Sequence, residues 1–359
     1  MERDFISEIT QLIDSDMPFT DIRLEQDGPI MVRLPNGWSQ VDRMFAPCVE
    51  DMQQVLEVVE PNWEELIKKA AINRPIELSV WRLRICAYLA FGGKRLMMSI
   101  RRISKTLPTL RSVGLPPATR LMLSAQRGLI LISGATRSGK STSSAAMLDE
   151  INMTRSAHVI TIEDPIEYIF EPKKSVFSQR EVGVDVDSFE KGLEDAMRQC
   201  PDVILVGEIR NRETAETAML AGESGHLVIG TLHANTAAGA TQKLLSWFNE
   251  GERNAKVQAL SNCLVGVVNQ ILLPRKDESG YALATEIINN MDQEFSPVLG
   301  DQQKLNAMLD RPDARKTSLS MADSLGELAL QNVIDKAVAM RAVTGMPGIQ
   351  DRLKTMWKV

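Results

Sequence analysis

Eight consecutive residues, Gly134-Ala135-Thr136-Arg137-Ser138-Gly139-Lys140-Ser141, match G-x-x-x-x-G-K-[ST] in full. They stand between an apolar strand-sized run, Leu129 to Ile132, and a helix-compatible run, Thr142 to Ile151. The pattern constrains the fold because it serves its purpose only as a strand-loop-helix unit. Glycines let backbone N–H groups curl around phosphate oxygens, and the helix that follows presents its positive dipole end. Lys140 then neutralises β/γ charge, Ser141 is a Mg²⁺ ligand, and Gly134 to Thr142 form the candidate nucleotide contact. A glycine-rich turn matching by chance is the competing reading, and the flanking strand and helix disfavour it. Arg137 is an unusual charge inside such a loop, placed to lean into solvent or to meet a neighbour's charge.

Nucleotide binding is not hydrolysis, which needs carboxylates near the terminal phosphate to order the metal and to orient or deprotonate water. Two candidates follow in chain order. Thr161-Ile162-Glu163-Asp164-Pro165-Ile166-Glu167 puts acids just past the end of an apolar run. Asp202-Val203-Ile204-Leu205-Val206-Gly207-Glu208 is a buried-strand pattern ending in a carboxylate. Ligands of open α/β sheets bind outside the carboxyl ends of strands, which suits both, although acids in such places also cap helices. His226 and His233 flank the run Leu227 to Thr231, and His233 falls where a side chain can sense a terminal phosphate. Two histidines without a third ligand do not make a metal site.

The 359 residues suffice for roughly two or three domains. Up to about residue 107 the pattern is that of a small α+β unit. Ile22 and Leu24 alternate with polar residues, as do Ile30, Val32 and Leu34, and Asn36-Gly37 suits a hairpin turn. Val49, Met52, Val55, Leu56 and Val59 recur at helical spacing. Ile76 to Ala87 reads as one strand with Arg82 and Arg84 on a shared face. Gly92-Gly93 then turns the chain into Leu96 to Ile100. Lys105 to Ala118 holds three prolines and a glycine, and its part 108–118 is expected to be an inter-domain linker. Over 119–290, apolar runs alternate with stretches long enough for crossovers, which predicts a mostly parallel sheet with helices on its faces. From 291 to 359 helical spacing returns, in Leu325, Leu328, Val333, Ile334 and Ala337.

The balance of 41 basic against 47 acidic residues, net −6, argues against a chain built to coat nucleic acid. The four cysteines are far apart, without a C-x-x-C pair, so neither a zinc site nor a disulfide framework is indicated. A reducing compartment fits. The first residues lack a basic segment followed by an apolar one, and no apolar run approaches the roughly 20 residues of a membrane span. The expectation is a cytoplasmic protein without membrane insertion.

The ordered set GATRSGKST, TIEDPIEY, SQREVG, GLEDAMRQCPD, VILVGEIRN, ETAETAMLAGESGH and TLHANTA resembles the PilT-like branch of the type II/type IV secretion ATPase superfamily. The likeness is close over residues 120 to 290. It implies an α/β fold: a small PAS-like α+β domain, a RecA-like ATPase core and a helical C-terminal appendage. It also implies ATP and Mg²⁺, a homo-hexameric ring, and peripheral docking at the inner membrane on a polytopic platform protein. On this resemblance Glu163 is the base that polarises water, and Glu208 is the Walker B carboxylate, holding Mg²⁺ directly or through water. His226 and His233 are the His box, with His226 counted among the nucleotide-binding residues and His233 among the catalytic ones. Arg82 and Arg84 match arginines that approach nucleotide at a subunit interface, and Arg198 and Arg210 match further arginines near the site. From spacing alone, Arg82 and Arg84 read as a solvated strand face.

Ala135 and Arg137 stand where the family usually has Pro and Gly, and Asn211 stands in place of the usual Asp after GEIR. The retraction members' AIRNLIRE-like tail helix has no good copy, with Gln302 to Asp310 nearest in position. The leading expectation is an ATPase that powers pilus retraction or a related secretion machine. A plasmid-transfer or type IVB secretion motor shares every nucleotide box. A nucleotide-dependent regulator with little hydrolysis is the alternative of another class. ATP is preferred over GTP by resemblance, since no guanine signature is evident.

Overall fold

Two sheets of opposite character organise the chain. The computed structural model describes residues 4–42, 44–311 and 317–358. The chain forms two compact units, one running to Thr106 and including Asp277–Tyr281, the other comprising Leu107–Lys276 and Ala282–Val359.

The first unit contains α1 (Phe5–Ile13), β1 (Asp21–Glu25), β2 (Met31–Leu34), β3 (Gly37–Gln40), α2 (Val49–Val59), α3 (Trp63–Leu66), β4 (Ile72–Leu78), β5 (Trp81–Ala90) and β6 (Arg95–Ser104). Its strands pair antiparallel in the order β3-β2-β1-β6-β5-β4. Alternation sends Ile22, Leu24, Val32, Leu83, Ile85 and Ile100 into one core with Phe5 and Ile9 of α1 and Met52 and Leu56 of α2. Leu34 pairs with Gly37, so the hairpin turn expected at Asn36-Gly37 falls one residue earlier, on Pro35-Asn36, and Gly37 opens β3. The single strand expected over Ile76 to Ala87 is instead a hairpin, because Ser79, at φ 44°, breaks the run. Serine carries a weaker turn signal than glycine or asparagine, so periodicity ran through it.

Arg102 of β6 holds this unit's N-terminal segment. Its Nη1 donates to the carbonyls of Ile13 and Ser15, and its Nη2 to those of Met17 and Phe19, at 2.7 to 3.1 Å. The guanidinium lies 3.8 Å from the Phe19 ring centroid and 4.2 Å from that of Trp81. A planar cation can donate in its plane while offering both faces to aromatic rings.

The second unit contains α4 (Leu110–Val113), α5 (Pro117–Met122), β7 (Gly128–Ser133), α6 (Lys140–Thr154), β8 (His158–Glu163), β9 (Val176–Glu181), α7 (Phe189–Ala196), β10 (Val203–Val206), α8 (Arg212–Glu223), β11 (Leu227–Leu232), α9 (Ala237–Ser246), α10 (Glu250–Cys263), β12 (Leu264–Pro274) and β13 (Tyr281–Asn289). Then come α11 (Gln302–Leu309), α12 (Met321–Leu330), α13 (Lys336–Ala342) and α14 (Pro347–Trp357). The sheet order is β13-β12-β7-β11-β10-β8-β9, and every pair from β12 to β9 is parallel. Both faces are covered. Leu129, Leu131, Ile160, Ile162, Ile204 and Val206 pack on the side of α7, α8 and α9. Ile130, Ile132, Val159, Val203 and Leu205 pack on the side of α6. Strands buried on both faces read as unbroken apolar runs, which is why four of them were visible in the sequence.

The proline-bearing segment expected to be a linker is folded. It forms α4 and α5, and Leu110 and Leu115 are buried in the α6-side core. Pro117 starts a helix here, a position where its missing N–H costs nothing. Among the described residues, no helix is long and apolar enough to cross a membrane.

Replacing Arg102 with Ala should destabilise the first unit by about 3 kcal/mol through lost charged hydrogen bonds and ring contacts. Replacing it with Lys should restore less than half of that, because one ammonium cannot serve four carbonyls in a plane. Denaturant unfolding followed by tryptophan fluorescence measures both; an equal stability for wild type and Arg102→Lys would refute this account.

Candidate active site

Parallel register puts the carboxyl ends of β7, β11, β10 and β8 along one edge, and the phosphate loop leaves from β7. Two backbone conformations shape the loop: Gly134 at φ 153° and Gly139, the N-cap of α6, at φ 87°. A Cβ at Gly134 would stand 2.4 Å from Ser138 Oγ and 2.6 Å from the Gln270 carbonyl, so only glycine lets the loop close so tightly. Arg137 adopts φ 67° in an exposed position, where a non-glycine residue pays about 1 kcal/mol in backbone strain. Ala135 and Thr136 are exposed beside it, Ser141 is exposed at the start of α6, and Thr142 Oγ1 lies 3.4 Å from the Tyr168 hydroxyl.

Lys140 turns its ammonium onto the loop itself, donating to the carbonyls of Gly134 and Ala135 at 3.0 Å. Its Nζ is also 3.4 Å from His233 Nδ1. On the other side of that ring, His233 Nε2 is 3.5 Å from Glu208 Oε1. Burial, and then the Lys140 ammonium, hold the imidazole below its ordinary pKa. A neutral ring fits this placement, with Nδ1 accepting from lysine and Nε2–H facing the carboxylate. Arg210 continues the line, with Nε 4.0 Å from Glu208 and Nη2 3.4 Å from Asp164, while its guanidinium covers Phe189 at 4.7 Å. The segment carrying Glu208 is pinned between neighbouring strands. The Gly207 amide donates to the Ile162 carbonyl, and the Ile209 amide to the Thr231 carbonyl.

Glu163 ends β8. Its Oε1 accepts from Thr161 Oγ1 at 2.7 Å and from Gln179 Nε2 at 3.3 Å. Burial pushes its pKa up to about 6, the two hydrogen bonds opposing the shift only in part. A carboxylate held near neutrality is suited to taking a proton from water.

Of the remaining predicted residues, His226 and Arg198 lie in this unit away from the line, and Arg82 and Arg84 belong to the first unit. His226 precedes β11, at the edge of the sheet opposite the phosphate loop, and its Nδ1 bonds the Pro201 carbonyl at 2.8 Å. Six residues of strand at about 3.3 Å each separate it from His233, so the two histidines do not share a site within one chain. Arg198 occupies the exposed turn between α7 and β10. Arg82 and Arg84 are on β5 of the first unit, where Arg82 Nε is 3.5 Å from Glu77. Two of the Arg82 nitrogens are buried without a hydrogen-bond acceptor among the described residues.

Mg²⁺ takes one or two protein oxygens, substrate phosphate and water. The exposed Ser141 hydroxyl and Glu208, whose side chain is 33% exposed, are a donor set of that kind.

Residues 82–318 match the family described as Type II/IV secretion system protein. The chain belongs to that family. It is 40% identical over 211 residues to the type IV pilus ATPase PilU of Pseudomonas aeruginosa, covering 59% of this chain and 55% of PilU. It is 35% identical over 241 residues to the pilus retraction ATPase PilT of the same organism, covering 67% of this chain and 68% of PilT. The matches span little more than half the length of the first curated relatives. Among solved structures, the pilus retraction motor PilT with bound ADP superposes at a TM-score of 0.78, with 34% identity over 93% of this chain and 96% of the other. The Legionella pneumophila ATPase DotB gives 0.82 at 25% identity, over 95% and 94%. These likenesses bear out the α/β architecture of sheet domain, ATPase-like core and helical C-terminus.

Three supports of this candidate site went unread in the sequence. Asn269 of β12 accepts from Ser133 Oγ at 2.9 Å and donates to the Asn235 carbonyl at 3.0 Å, joining the end of β7 to the loop after His233. Gln270 donates to the Ser138 carbonyl at 2.7 Å. Gln179 of β9 holds Glu163 and also donates to the Tyr168 carbonyl. The visible signal was the polar pair Asn269-Gln270 inside an apolar strand run. Asn211 proves to be the N-cap of α8, accepting from the Thr214 amide at 2.9 Å, a task that asparagine and aspartate perform about equally well.

Replacing Asn269 with Ala leaves a buried hydroxyl and a carbonyl without this partner and should cost about 2 kcal/mol. Asn269→Asp keeps the acceptor for Ser133 but loses the donor to Asn235. It should therefore weaken nucleotide binding more than it lowers the melting temperature, as calorimetry with ADP and thermal melts would measure; unchanged ADP affinity in both variants would remove Asn269 from the site.

Proposed function

We propose that this chain is the subunit of a homo-hexameric motor that hydrolyses ATP to ADP and phosphate to drive type IV pilus retraction. The line Lys140, His233, Glu208, Arg210 and Asp164 at one sheet edge, behind a complete phosphate loop, carries the reading. The loop amides and Lys140 bind the β/γ-phosphates, with Ser141 and Glu208 as the oxygens for Mg²⁺. When bound, that metal neutralises charge on the phosphoryl oxygens. Glu163 accepts the proton of the attacking water, and neutral His233 reports the terminal phosphate to Glu208. Arg82, Arg84 and Arg198 act on the site of a neighbouring subunit, where arginine donors stabilise charge developing on the transferred group. His226 belongs to that inter-subunit set rather than to its own chain's phosphate site. The ring works from the cytoplasmic side, docked on a polytopic inner-membrane platform protein.

A type IVB secretion motor is the second reading. The DotB superposition and the absence of a good AIRNLIRE copy near α11 support it. The strained Arg137 is the feature that favours a weakly hydrolysing regulator. Asn211 does not add to that case, since it caps a helix.

Purified full-length protein should hydrolyse MgATP, with Lys140→Ala at background; equal rates would leave the regulator. Glu163→Gln should lower kcat by about 10²-fold or more. The raised pKa keeps Glu163 protonated at low pH, so kcat should fall as pH drops through about 6, rather than near the ordinary carboxylate value of 4.5. An acid limb that persists unchanged in Glu163→Gln would assign it to another group. Mixing Arg82→Ala with Glu163→Ala subunits should restore part of the activity if the arginine acts in trans, and failure at every ratio speaks against a shared site.

A further inference from the structure

Glu286 is an acidic side chain buried in the middle of β13, 5% exposed, and among the described residues no ion pair accounts for it. It accepts from the backbone amide of Ala237, and the backbone amide of Met321 stands as a second, looser donor to it. These are the first residues of α9 and α12, each a helix of ten residues. Each helix already has its own side-chain cap, Thr236 on Gly239 and Ser320 on Asp323. Glu286 therefore does not replace a missing cap. It joins two helix starts that are 84 residues apart in sequence.

What the two helices connect to gives the junction its meaning. The loop from His233 to Thr236 leads directly into α9, and Asn269 holds its Asn235 carbonyl. The start of α12 is stitched along β13 by Thr285 donating to Ser324 Oγ, by reciprocal Ile287–Leu319 backbone bonds and by Asn289 donating to Ser318 Oγ. From α12 onward the chain forms the helical end, where Leu325, Ile334 and Leu353 share one core. Burial pushes the Glu286 pKa up to about 7, with the two amides opposing the shift; an acid held at two positive helix ends is a stiff link, because an amide that moves away leaves a buried polar group less satisfied.

We propose that Glu286 is a positioning residue that couples the His233 loop to the C-terminal helices, so that the state of the helical end alters phosphate chemistry and the reverse. The proposal rests on the ATPase reading for its kinetic part only.

Hydrogen exchange on the full chain without nucleotide tests the junction. Glu286→Gln should speed exchange of the first-turn amides of both α9 and α12 by about tenfold, with α10 unchanged. Acceleration at one helix alone, or at neither, overturns the link. Steady-state kinetics test the coupling: Glu286→Gln should lower kcat about tenfold with KM for MgATP within about twofold, and Glu286→Asp should recover part of it. Wild-type kcat in Glu286→Gln overturns the coupling. Met321→Pro keeps the test open should Glu286→Gln not fold. Proline is accepted at a first helical position, and Ser320, at φ −82° and ψ 153°, has the backbone that precedes proline. It deletes the donor, so kcat should drop as in Glu286→Gln, whereas Met321→Leu keeps the amide and should leave kcat unchanged. Equal kcat in Met321→Pro and Met321→Leu overturns the coupling. A wild type without ATPase activity sinks the ATPase reading, and the exchange result still decides the junction.

Discussion

Lys140, His233, Glu208, Arg210 and Asp164 come from positions scattered over nearly a hundred residues, and they meet because four strands run parallel in register. Each strand delivers the residues that follow it to the same edge. Antiparallel pairing would send alternate strand ends away, and no such line would form. The site is therefore a product of chain direction first and of side-chain chemistry second. Register also fixes order: β11 lies between β7 and β10, so an imidazole stands between an ammonium and a carboxylate. That order lets His233 touch both charges, while burial and then the ammonium hold its pKa below the ordinary value.

The support beneath the line is polar and buried. Asn269 joins β7 to the loop after β11, Gln270 holds the phosphate loop from below, and Gln179 holds Glu163 from the outermost strand. Buried amides of this kind are costly unless satisfied, and once satisfied they fix geometry that apolar packing leaves loose. The first unit uses the same logic with a different group, since Arg102 ties a segment without regular structure to a strand through its carbonyls. In both units, polar side chains do the fixing where the backbone has left regular structure.

Much of this was legible in residues. The phosphate loop, the strands at Leu129, Val159, Val203 and Leu227, and the acids ending two of them could be read because a strand buried on both faces is an apolar run. The hairpin at Ser79 could not, because serine in a left-handed turn carries little signal. Strand β9 is polar and β13 carries a glutamate at its centre, so neither looks like a buried strand. The segment around Leu110 and Leu115 read as a linker from its prolines, although its leucines were the better guide. Assigning His226 to the phosphate site followed motif proximity; six residues of extended chain place it at the far edge.

Lys140 resting on the carbonyls of Gly134 and Ala135 has a further consequence. An incoming phosphate does not find a bare cation, because the ammonium is already solvated by its own loop. The affinity of this loop for an anion is therefore an exchange quantity, the new attraction minus the two bonds surrendered. Changes in the loop that weaken those carbonyl contacts will tighten anion binding without adding a single contact to the anion.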